Sequence, residues 1–129
     1  MSADKKHVLV VDDAALVRLF YRDTLEQAGF TVAEALNGVE GLEKILSAPV
    51  DLVIVDINMP IMDGFTLLRR LRCRPHPDCT IPVLVTSTEA AASDRQAALE
   101  AGANFYLVKP VPPELLNRVA IMLSGAEHG

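Results

Sequence analysis

The stretch Asp51-Leu52-Val53-Ile54-Val55-Asp56-Ile57-Asn58-Met59-Pro60 constrains the chain more than any other. Leu52 to Val55 is an unbroken run of leucine and β-branched residues, which reads as a strand buried on both faces, as strands of parallel sheets are. Asp56 stands where that strand stops. In open parallel sheets the crevice outside the carboxyl ends of the strands is where ligands bind. A lone Asp in that place could equally form a turn, but a second strand, His7-Val8-Leu9-Val10-Val11, also runs into acid, at Asp12-Asp13. Parallel neighbours would bring three carboxylates together. Such charges repel unless a cation lies between them, and an oxygen-only pocket suits Mg2+, which commonly takes carboxylates, waters and a phosphate oxygen. The acids therefore predict a metal and a phosphoryl group at one place.

The remaining segments fall into alternation. A helical stretch follows Asp13, with Val17, Phe20, Tyr21, Leu25 and Ala28 as its apolar stripe and Arg18, Arg22, Asp23 and Glu26 off it, and Gly29 stops it. Thr31 to Ala35 is a short strand. Val39, Leu42, Ile45 and Leu46 give the next helix its buried side, up to Ser47-Ala48-Pro49. After Asp56 a loop leads to a helix from about Gly64 to Arg72, N-capped by Asp63, with Phe65, Leu68 and Leu71 inward. Ile81 to Thr86 is a fourth strand, ending in Thr86-Ser87-Thr88. An alanine-rich helix at about Ser93 to Ala101 should pack lightly; Asn104 to Val108 is the fifth strand, closed by Lys109-Pro110. Pro112-Pro113 opens a last helix to about Leu123. Five strand-helix alternations with long crossovers define a doubly wound α/β sheet. The 129 residues make one domain with a core at about 7–123 and a loose tail at 124–129.

Composition excludes several classes. A net charge of −5 gives no footprint for nucleic acid, so no direct nucleic-acid contact is expected. No apolar run is long enough to span a membrane, and residues 1–6 lack the apolar core of a signal peptide, so the expected compartment is the cytoplasm. Cys73 and Cys79 flank a Pro-rich loop with His76 and Asp78. Their spacing fits no standard zinc pattern, and two reduced thiols are expected.

Four strand ends carry groups suited to one reaction: Asp12 and Asp13, Asp56, Ser87 and Lys109. A carboxylate can attack phosphorus and hold the group as an acyl phosphate. The transfer needs alignment and neutralised equatorial oxygens, to which Mg2+ at Asp12, Asp13 and Asp56, the Lys109 ammonium and the Ser87 hydroxyl would contribute. A small-molecule phosphatase with an Asp nucleophile is disfavoured, since Asn58 stands where an acid would protonate the leaving group. A flavodoxin-type cofactor binder is disfavoured because Asp12-Asp13 would repel a phosphate after the first strand.

Val10-Val11-Asp12-Asp13, Val55 to Gly64, Val85-Thr86-Ser87, Ala101-Gly102-Ala103 and Val108-Lys109-Pro110 together resemble the landmarks of response-regulator receiver domains, over about residues 7–123. The resemblance implies the flavodoxin-like (CheY-like) strand order 2-1-3-4-5. It implies that Asp56 accepts a phosphoryl group from a histidine kinase or histidine phosphotransfer protein, and that Asp12 or Asp13, Asp56 and the Asn58 carbonyl bind Mg2+. Counting back from Lys109 makes Ser87 the switch hydroxyl, with which strand alternation agrees. Tyr106 takes the position of the switch aromatic, Lys109-Pro110 resembles the family's cis peptide, and Asn58 and Glu89 would tune dephosphorylation. The output face would be the fourth helix, fifth strand and fifth helix, about Ser93 to Leu123, in a protein that is monomeric or dimerises on phosphorylation. A stand-alone receiver is expected; a receiver segment of a longer regulator is the alternative.

Overall fold

The structure, a computed structural model, describes residues 5–59, 61–73 and 80–126. Among the described residues ten elements alternate along the chain: β1 (His7–Val11), α1 (Ala15–Gln27), β2 (Thr31–Ala35), α2 (Gly38–Ser47), β3 (Leu52–Asp56), α3 (Gly64–Arg72), β4 (Val83–Ser87), α4 (Ala92–Glu100), β5 (Phe105–Val108) and α5 (Pro113–Ser124). All strand pairs are parallel and the order is β2-β1-β3-β4-β5, so the fold class and the strand order are as expected.

Val8–Val11, Leu52–Val55 and Val83–Val85 of the central strands are apolar because both faces are covered, and alternation sorts their side chains into two layers. Leu9, Val11, Val53, Val55, Val83 and Val85 pack with Ile45 of α2, Leu67, Leu68 and Leu71 of α3 and Ala98 of α4. Val8, Val10, Leu52, Ile54 and Leu84 pack on the other face with Tyr21 and Leu25 of α1 and Leu116, Val119 and Ala120 of α5. The register aligns Val11 with Val55, Asp56 with Thr86, and Ser87 with Val108. The strands thus end together, and the residues just beyond them share one edge of the sheet.

Several sequence expectations change in detail. In α1 the face toward the sheet is Arg18, Tyr21 and Leu25, whereas Phe20 and Ala28 are exposed. Arg18 is 9% exposed because its charge is paired within the fold. Val39 and Leu46 of α2 point outward, and Gly41 takes a buried place against Val11. The fourth strand starts at Val83, two residues late: Pro82 has no N–H for a ladder, and the Val83 amide donates to Asn104 Oδ1 at 2.9 Å. At the C-terminal end, α5 runs to Ser124, which is buried, and Gly125 closes the helix with a left-handed φ of 76°. Ser124 therefore belongs to the last helix and not to a tail. Cys73 is exposed, while Cys79, His76, Asp78 and residues 127–129 lie outside the described residues.

Candidate functional site

Asp12 follows β1, Asp56 ends β3 and Lys109 follows β5. Each continues the alternation that points Val10, Ile54 and Leu107 toward the layer holding α1 and α5, so the three side chains meet. Lys109 Nζ lies 2.8 Å from Asp12 Oδ2 and 3.3 Å from Asp56 Oδ1. Asp12 and Asp56 are 1% and 6% exposed; Asp13 is exposed at the rim. One oxygen from each of Asp12, Asp13 and Asp56 lies within 4.8 Å of the other two.

Three carboxylates thus face one ammonium, leaving negative charge unbalanced in a half-closed hollow. Burial raises the pKa of Asp56, Lys109 works against that rise, and Asp12 adds to it. Burial alone would lower Lys109, but its bond to Asp12 and the charges of Asp12 and Asp56 outweigh this and hold its pKa above the ordinary value. Burial raises Tyr21, which shares the field of these groups beneath the site. An all-oxygen donor set with residual negative charge fits a hard divalent cation such as Mg2+.

The approach of α3 completes the hollow. Asp63 caps this helix by accepting the Thr66 amide at 2.8 Å. The next residue, Gly64, lies so near β3 that a Cβ on it would stand 2.5 Å from the Asp56 carbonyl oxygen. Asn58 is exposed, and its main-chain amide works with Lys109 against the rise in the Asp56 pKa.

Ser87 and Thr86 point to opposite faces. Ser87 is fully buried at the end of β4, where its Oγ accepts the Glu89 amide at 3.0 Å. Tyr106, 1% exposed, sits in the layer of α2, α3 and α4, and its hydroxyl donates to the Glu89 carbonyl at 2.6 Å. The Arg95 guanidinium covers the Tyr106 ring, 5.5 Å from its centroid. Glu89 itself is exposed. Asp12, Asp13, Asp56 and Lys109 therefore form one cluster, and Ser87, Glu89 and Tyr106 form a second on the neighbouring strands. The Lys109–Pro110 peptide is cis. Sequence reasoning missed Gly64, Tyr21 and the pair Arg18 with Glu34; for Arg18 the signal was available, since 18, 21 and 25 are spaced three and four apart.

An open parallel sheet with a carboxylate cluster and a lysine at its carboxyl edge defines the class: a doubly wound α/β protein with an acidic site compatible with a hard divalent cation. The sequence profile of the response regulator receiver domain matches residues 8–120, and the chain belongs to that family of two-component signalling domains. It is 43% identical over 117 residues to the transcriptional regulatory protein PrrA of Mycobacterium bovis, matching 90% of this chain and 49% of PrrA. It is 34% identical over 125 residues to the sensor protein EvgS of Escherichia coli K12, matching 97% of this chain and 10% of EvgS. The chain thus spans about half the length of PrrA and a small part of EvgS. Among solved structures, the chemotaxis protein CheY4 of Vibrio cholerae superposes with a TM-score of 0.86 at 34% identity, covering 93% of this chain and 99% of CheY4. Among the described residues no helix is long and apolar enough to cross a membrane.

Proposed function

We propose that this receiver is a phosphorylation-controlled switch in which Asp56 takes a phosphoryl group from a phosphohistidine on a histidine kinase or histidine phosphotransfer protein. The observation that carries the reading is the convergence of Asp12, Asp13 and Lys109 on the Asp56 carboxylate. An Asp56 oxygen attacks phosphorus as the P–N bond breaks, and the imidazole departs with the electron pair. Asp12, Asp13 and Asp56, with the Asn58 carbonyl, would hold Mg2+, which when bound supplies positive charge to the phosphoryl oxygens. Lys109 already bridges Asp12 and Asp56 and needs only a small shift to pair with the new anion.

Phosphorylation brings about two negative charges and strong acceptor oxygens. The Ser87 hydroxyl at the end of β4 would turn toward the phosphoryl group and so release the Glu89 amide it now accepts. Glu89 is also where Tyr106 is anchored, so the two contacts link the site to β5 and α4. The output face is then α4, β5 and α5, where Leu99, Leu115 and Met122 are exposed apolar residues and only Ala98 of α4 is buried. A partner docks there, the protein being a monomer or a phosphorylation-dependent dimer in the cytoplasm.

The direct test is incubation with acetyl phosphate and Mg2+ followed by intact-mass measurement. One phosphoryl adduct is expected, and no adduct in repeated trials would defeat the reading. Asn58 and Glu89 are both exposed and can orient a water without blocking it, so the adduct should decay within minutes at neutral pH. Asn58→Arg would obstruct the water's line of approach. It is expected to lengthen the adduct's lifetime about tenfold, equivalent to about 1.4 kcal/mol of barrier. Decay measured after removal of the phosphodonor checks this, and an unchanged rate would take Asn58 out of the tuning role.

A further inference from the structure

Arg18 is a buried cation outside the acidic cluster, and a buried guanidinium is costly unless paired and hydrogen-bonded. Its Nε donates to Glu34 Oε1 at 2.9 Å, and its Nη1 donates to the main-chain carbonyl of Asp12 at 2.7 Å. Glu34 is itself held: Arg22 Nη1 donates to its other carboxylate oxygen, Arg22 Nη2 donates to the Val32 carbonyl at 2.8 Å, and Lys44 Nζ donates to the Glu34 carbonyl. The β2 strand thus offers a fixed carboxylate, and Arg18 reaches from it to the peptide that joins Asp12 to Asp13.

That peptide is where the sheet stops supporting the chain. The Asp12 amide still donates to the Ala35 carbonyl at 3.1 Å, and beyond it the Asp12 carbonyl has Arg18 as its partner. The Asp12 carboxylate is fixed separately, by the Ala14 amide at 2.9 Å and by Lys109. Asp13 is exposed and makes no hydrogen bond of its own among the described residues, so what the fold fixes of it is its backbone, held through the Asp12–Asp13 peptide, from which its side chain reaches toward the site.

We propose that Arg18, oriented by Glu34, is a positioning residue for the cation site: it locks the Asp12–Asp13 peptide and so fixes the backbone from which the Asp13 carboxylate reaches the ion. The inference rests on reading Asp12, Asp13 and Asp56 as Mg2+ ligands. A guanidinium suits this task because its planar fork can meet a carboxylate and a carbonyl at once, which an ammonium cannot do with fixed geometry. Groups that orient metal ligands typically change metal affinity by about ten- to a hundredfold.

The test is a Mg2+ titration of the full chain followed by the amide chemical shifts of Asp12, Asp13 and Asp56, with urea unfolding measured separately without Mg2+. Arg18→Met keeps the apolar stem and removes the fork; its Mg2+ affinity is expected to fall about tenfold, whatever happens to stability. Arg18→Lys, which keeps one donor for the Asp12 carbonyl, should recover part of the loss, and Glu34→Gln, which leaves Nε an uncharged oxygen, should fall between. If Arg18→Met binds Mg2+ as the wild type does while only its unfolding midpoint moves, the pair merely fastens α1 to β2 and the proposal is wrong. Should Arg18→Met not fold, wild-type affinity in both Arg18→Lys and Glu34→Gln would refute the proposal equally well. A wild-type protein that shows no Mg2+-dependent shifts would instead overturn the underlying assignment of the acids, and the proposal with it.

Discussion

Asp56→Asn is expected to yield no phosphoryl adduct with acetyl phosphate and Mg2+, under conditions where the wild type gives one. Asparagine keeps the size of the side chain but replaces the attacking carboxylate by an amide, which does not form a stable acyl phosphate. The same substitution should raise stability at neutral pH. Asp56 is buried, and burial with Asp12 nearby lifts its pKa despite Lys109. An acid whose pKa is raised on folding binds protons more readily in the native state, so stability declines as pH climbs from the unfolded pKa through the folded one. Above that window the ionised Asp56 carries its full cost, which the amide removes, while Lys109 retains Asp12 at 2.8 Å. Urea unfolding at neutral pH without Mg2+ should therefore show a higher midpoint for the variant. An adduct on Asp56→Asn would move the acceptor to another carboxylate of the hollow, and a lowered midpoint would mean that pairing with Lys109 outweighs burial.

The strands and their order of appearance were legible because a parallel sheet covered on both faces demands continuous apolar runs, and Val8 to Val11 and Leu52 to Val55 are such runs. The acids were legible for a related reason: after an apolar strand, an ionisable residue must lie at the edge, where the sheet opens to water. Alternation separates Ser87 from Thr86, but it is Thr86 that follows Leu84 toward the face of Ile54 and Asp56, so the choice of Ser87 rests on the count back from Lys109. Helix faces are harder to read, because charge is a poor guide once an ion pair is available. Polarity alone puts Arg18 outward, yet its partner Glu34 lies sixteen positions along, on an edge strand paired with β1 at Val10. Size alone puts Phe20 inward, yet the turn of the helix that meets the sheet is set by Tyr21 and Leu25. Close backbone contacts leave no pattern in hydrophobicity at all.

Gly64 is the clearest instance of such a contact, and Gly64→Ala is expected to damage both fold and chemistry. The added Cβ would lie 2.5 Å from the Asp56 carbonyl oxygen and 2.9 Å from Ile57 Cα. Both are backbone atoms, so no rotamer change can relieve the clash; either the start of α3 must withdraw or the end of β3 must give way. The Gly64 amide donates to the Ile57 carbonyl at 2.9 Å, which ties the two segments and resists withdrawal. Overpacking of this kind costs about 1–3 kcal/mol, visible as a lower urea midpoint at unchanged slope. Relaxation at the end of β3 would displace Asp56, the proposed acceptor, and misplacement of a reacting group by about 1 Å can cost on the order of a hundredfold in rate. Gly29→Ala provides the contrast. Gly29 has a φ of 100° with open space where a Cβ would go, so its substitution costs roughly 1–2 kcal/mol of backbone strain and touches nothing near Asp56. Both variants should unfold more easily, but only Gly64→Ala should slow formation of the phosphoryl adduct. Equal phosphorylation rates in the two would mean that the α3 terminus can move away without disturbing β3, and that the contact serves packing alone.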